Sequence, residues 1–126
     1  MRPALAALIV LASALPAGAG PLAEYRWQKR PIVVFAPAGD DPRLVEQLDR
    51  FEAARDRLEE RDTVVIVDIE PASALRDRFG PGPFTVVLVG KDGTEKLRRE
   101  APVAVEDLTG LIDSMPMRRR EMRERD

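Results

Sequence analysis

The chain has 126 residues, a formal net charge of −2, no cysteine and no histidine. Thiol–disulfide exchange is therefore impossible, the usual ligands for zinc, haem and iron–sulfur clusters are missing, and any metal would be a hard cation held by oxygen. The small acidic excess gives no basis for nucleic-acid binding, and no cofactor is expected.

Met1-Arg2, the apolar run from Ala4 to Leu15 and the small residues Ala17-Gly18-Ala19 match the charged, apolar and cleavage regions of a secretory signal peptide. A membrane anchor is the alternative, but Pro16 ends the run short of the roughly 20 apolar residues that span a bilayer. The expectation is an exported protein, periplasmic or secreted, with a leader at 1–19, one domain at 20–116 and a basic helix or tail at 117–126.

Tyr25 and Trp27, the only tyrosine and tryptophan, precede the first strand and either cover the end of the core or stack on a ligand. Ile32-Val33-Val34-Phe35 is short, β-branched and flanked by prolines, as a buried strand is. From Arg43 to Arg61 the apolar residues Leu44, Leu48, Phe51 and Leu58 fall on one helical stripe. Asp41 is placed to cap that helix, Pro42 to open it, and Glu46 with Arg50 to pair across one turn.

Thr63 to Val67 reads as a second buried strand, Ala72 to Phe79 as a short helix stopped by Gly80, and Phe84 to Val89 as the most apolar strand. Gly90-Lys91-Asp92-Gly93 forms a turn into the charged edge strand Glu95 to Arg99. Val105, Leu108, Leu111, Ile112 and Met115 mark a last core helix that Pro116 interrupts.

This order of elements resembles a thioredoxin-like α/β fold, a βαβ half followed by a ββα half, built as a three-layer sandwich around a four- to five-stranded mixed sheet. The resemblance implies that Ala38 to Arg43 meets Gly80 to Phe84, where such proteins do chemistry or grip extended polypeptide. The cysteines of a C-x-x-C motif would fall on Asp40 and Arg43. Pro83 lies near the place of the cis-proline of active relatives, leaving the Gly82-Pro83 bond either cis or trans. Three stretches, Tyr25 to Pro31, Val89 to Gly93 and Ile112 to Arg118, are similar to a small uncharacterised bacterial family whose domain also occurs in sushi-repeat extracellular proteins. That similarity implies an exported thioredoxin-like domain and supplies no activity.

Candidate sites follow from these placements. Asp40 and Asp41 form either an acid pair for general acid–base work, part of a calcium site with Asp68, or a helix cap with an exposed neighbour. Arg43 opposes the helix dipole and so calls for a partner, Asp40 or an anionic ligand. With no histidine, no G-x-S-x-G elbow, and Lys29, Lys91 and Lys96 in segments that read as exposed, catalysis finds little support. Met115, Met117, Arg118, Arg119 and Arg120 suggest a basic segment that touches a partner's acidic groove or anionic lipid, or else a solvated helix. The reading is a non-redox module that binds protein or peptide between the two loops through Asp40, Asp41, Arg43, Pro83 and Phe84. An assembly subunit using the tail, and an enzyme using Asp40 and Asp41, are the alternatives.

Overall fold

A computed structural model describes residues 9–11 and 20–125. Apart from Ile9–Leu11, the expected leader lies outside the described residues, and among them no helix is long and apolar enough to cross a membrane. The strands are β1 (Ile9–Leu11), β2 (Arg30–Phe35), β3 (Thr63–Asp68), β4 (Thr85–Val89) and β5 (Glu95–Arg99). The helices are α1 (Pro42–Ala53), α2 (Arg55–Glu60), α3 (Ala74–Phe79), α4 (Val105–Asp113) and α5 (Pro116–Arg125).

The sheet has the order β1-β3-β2-β4-β5. β2 runs parallel to β3, with Ile32 opposite Val65, and antiparallel to β4, with Ile32 opposite Leu88. All six residues of β2 are buried, because helices cover both faces of the sheet. Alternation along the strand sends Ile32 and Val34 into one core with Leu44, Phe51 and Leu58 of α1 and α2 and Leu108 and Ile112 of α4. It sends Val33 and Phe35 into a second core with Leu75 and Phe79 of α3. Both expected halves, βαβ and ββα, are present.

Local chemistry fixes the helix ends. The Asp41 carboxylate accepts the Arg43 amide at 2.9 Å, and Pro42 occupies the first turn of α1. The single helix expected from Arg43 to Arg61 is divided at the buried Ala54. α3 starts at Ala74 rather than Ala72 because Ser73 takes the cap, accepting the Arg76 amide at 3.0 Å. Gly80 closes it in the left-handed conformation, φ 54. Pro116 both ends α4 and opens α5, a first-turn position at which its missing N–H leaves nothing unpaired.

Gln47 departs from the expectation that polar helix residues face water. It is fully buried, and its amide donates to the Val103 carbonyl at 3.1 Å and accepts from the Val103 amide at 2.7 Å. The pair ties α1 to the segment entering α4. Gln47→Leu fills the same space but leaves both backbone groups unsatisfied, so it is expected to cost about 2–4 kcal/mol, read from the urea midpoint at neutral pH.

Candidate functional site

The loops expected to meet do so at the carboxyl end of β2. The Arg43 guanidinium lies 5.3 Å from the centroid of the Phe84 ring, joining the start of α1 to the start of β4. Arg43 takes as its partner Asp41, not Asp40: Nε donates to Oδ1 at 3.0 Å and Nη2 to Oδ2 at 2.8 Å. That side-chain hydrogen bond, more than the capping amide, holds the Asp41 carboxyl at about 2. Asp41 is therefore spent on its cap and its arginine, while Asp40 and Pro83 are exposed. Asp68 is buried, accepting from Ser73 Oγ at 2.5 Å and from the Glu70 amide at 2.9 Å. Among the described residues no three carboxylates gather where they could hold a metal ion, and every peptide bond, Gly82-Pro83 included, is trans.

The opposite end of β2 holds a cleft of about 330 Å³, lined by Trp27, Arg30, Lys91, Lys96, Met115 and Met117 among others. Apart from Lys96 of β5, its lining comes from the three stretches Tyr25 to Pro31, Val89 to Gly93 and Ile112 to Arg118, which are far apart in sequence. Trp27 is 57% exposed and sits at φ 66, a left-handed conformation rare for a bulky side chain. Its amide donates to the Lys91 carbonyl at 2.7 Å, and Arg26 lies 5.7 Å from the indole centroid. Of the two roles open to this aromatic, it does not cover the core.

Beneath the cleft runs a charged seam. Arg30, 1% exposed at the first position of β2, donates to the Arg61 carbonyl at 2.9 Å and to both oxygens of Glu121 at 3.3 and 3.1 Å. Lys91 Nζ donates to Asp62 at 2.9 Å and to Glu121 at 2.8 Å. It is 9% exposed, which corrects its reading as an exposed lysine: the turn folds inward to meet these two acids.

Arg118 is a second correction. Instead of reaching outward from a tail it is fully buried, donating to Asp113 at 3.1 Å and Glu60 at 2.9 Å, while Arg61 grips Asp113 with two bonds of 2.9 Å. Arg119 and Arg120 stay exposed, and Met115 and Met117 form part of the cleft wall. Sequence reasoning missed Arg30 and Lys91. The available signal was the conjunction of buried-strand pattern and arginine in Arg30-Pro31-Ile32.

The family described as Domain of unknown function (DUF4174) matches residues 21–121. The chain belongs to that family. Among solved structures, thioredoxin peroxidase I of Plasmodium yoelii superposes with a TM-score of 0.59 at 13% identity, covering 79% of each chain. Chloroplastic thioredoxin z superposes with a TM-score of 0.54 at 22% identity, covering 69% of this chain and 80% of that one. The DUF4174 domain thus has a thioredoxin-like fold. At these identities the likeness carries the fold alone.

The seam gives this DUF4174 domain an acid-sensitive joint. For Asp113 the hydrogen bonds from Arg61 and then Arg118 outweigh burial and hold the carboxyl below its ordinary 3.8. For Glu121 burial pushes upward, but Lys91 and Arg30 together hold the carboxyl below 4.5. Their stabilisation is complete above those ordinary values and is lost as the pH falls through the lower values of the folded state. Asp113→Asn is expected to cost about 1–2 kcal/mol at neutral pH, at the low end for a charged pair because the side chain is partly solvated. It should also flatten the loss of urea stability below about pH 4, whereas an unchanged acid limb would remove Asp113 from the joint.

Proposed function

We propose that this DUF4174 domain is an exported, non-redox binding module that holds a segment of another polypeptide in the Trp27 cleft by non-covalent contacts. The observation that carries the reading is the exposed indole of Trp27, held at φ 66 where three distant stretches converge. Left-handed backbone costs about 1–2 kcal/mol in an ordinary residue, and an exposed tryptophan forgoes the burial that its size invites. A ligand that covers the ring offsets both losses. At about 330 Å³ the cleft is at the small end of ligand sites, room for one or two side chains rather than a dinucleotide.

Met115 and Met117 give that wall a flexible, polarizable surface able to fit side chains of different shape. While Glu121 holds Lys91 and Arg30, the contact open to a newcomer is chiefly apolar. The absence of cysteine removes thiol chemistry at either end of the sheet. Export rests on the charged, apolar and small-residue regions of 1–19. An intact mass lacking those residues for protein recovered from the periplasm or medium checks it.

Panning a displayed random-peptide library separates the cleft from the loop end. Peptides enriched on the wild type are expected to be lost on Trp27→Ala/Met117→Ala and retained on Asp40→Ala/Arg43→Ala. The reverse pattern moves the site to the loops at Phe84. No enrichment on any folded protein removes the binding-module reading.

A further inference from the structure

We infer that Arg30 and Lys91 form a carboxylate receptor in the cleft, filled here by Glu121 of α5, and that an acidic side chain of the bound segment takes Glu121's place. The inference rests on the cleft being the binding site and adds what its occupant must carry.

Both cations line the cleft, and both bond the same acid: Lys91 donates to Glu121 Oε2 at 2.8 Å, and Arg30 to Oε1 and Oε2 at 3.3 and 3.1 Å. The remaining charges around this carboxylate are Arg118, 3.9 Å away, and Asp62, which shares Lys91 at 2.9 Å. Arg30 is 1% exposed, and its Nε has no hydrogen-bond partner. The receptor therefore has a buried donor that Glu121 leaves unused.

The helix that delivers Glu121 is attached by charge. Among the ten residues of α5 only Arg118 is buried, and the apolar ones are Pro116, Met117 and Met122. An amphipathic helix normally docks by an apolar stripe, and this one has none that is covered. Its hold on the body comes from Glu121, from Arg118 on Asp113 and Glu60, and, at its exposed end, from Arg125, which donates to the Glu60 carbonyl at 3.3 Å. Ion pairs of this kind yield little net free energy over the hydrated charges, so a second carboxylate competes on nearly equal terms.

An acidic side chain next to an apolar one would reproduce the bonds of Glu121 and add contact with Trp27 and Met117. Arg118 keeps its own two acids, so the first turn of α5, and with it the cleft wall, stays in place while the helix beyond Glu121 is left with only the solvent-exposed contact of Arg125 to Glu60, which is worth little. Partner binding and release of the end of α5 become one exchange.

Trp27 is the only tryptophan, so its emission reports the cleft directly. Full-length wild type, Glu121→Gln and, as a control on the same helix, Glu124→Gln are titrated with a capped pentapeptide carrying one glutamate between two leucines, and with its glutamine counterpart. The glutamate peptide is expected to bind Glu121→Gln about tenfold or more tighter than it binds wild type or Glu124→Gln, and the glutamine peptide to show no such gain. In the wild type, saturation with the glutamate peptide should speed amide exchange in 119–125 while β2 to β4 stay protected.

Equal binding of the two peptides to Glu121→Gln, or unchanged exchange in α5 at saturation, overturns the carboxylate exchange and leaves the cleft standing as a site. No change in Trp27 emission with either peptide overturns both. The exchange measurement on the wild type decides the matter even if Glu121→Gln folds poorly.

Discussion

A cation at the head of a strand with no exposed face governs the arrangement of this molecule. Arg30 opens β2, the central strand, and is buried where its neighbours in the strand are apolar. Leaving a buried guanidinium without an anion costs several kcal/mol, so the fold has to bring a carboxylate to it. No acid of β3 or β4 reaches Arg30, and the one that does comes from Glu121, more than ninety positions later in the chain. Lys91, turned inward beside it, needs the same acid. The last helix is thus placed by electrostatics against the end of a sheet that is otherwise held together by apolar packing.

The framework was legible because its signals are local. Asp41 and Pro42 mark the start of α1, Gly80 marks the end of α3, and the charges of Glu95 to Arg99 mark an edge strand. Short β-branched runs named β2, β3 and β4 to within a few residues. What escaped were polar side chains whose partners lie far along the sequence. Gln47, Lys91 and Arg118 all sit where helix periodicity or turn composition assigns them to water, and each is buried against a partner 29 or more positions away: Val103, Asp62 and Glu60 respectively. The cleft escaped for the same reason: the three stretches that carry the family resemblance stand out one by one, but nothing local says that the fold brings them together.

The loop end keeps the form of a thioredoxin-like protein while its chemistry is gone. The loops approach as the resemblance implies, yet Asp41 and Arg43 satisfy one another and the arginine closes over Phe84. At this end the buried Arg76 Nε is left without a hydrogen bond. At the other end an exposed indole and an unpartnered guanidinium nitrogen remain.

The outer edges of the sheet are unequal. β5 carries Glu95, Lys96, Arg98 and Arg99, a run of charge that discourages a second sheet from zipping onto it. β3 carries Thr63-Val64-Val65-Ile66-Val67 and is covered at its edge by Ile9 to Leu11, which pair with Val65 to Val67. A chain shortened past Leu11 bares that backbone ladder. Its colloidal weakness is then directional, concentrated on the uncharged run Thr63 to Val67, and the same peptide segment that reads as an address also shields the sheet from self-association while it remains attached.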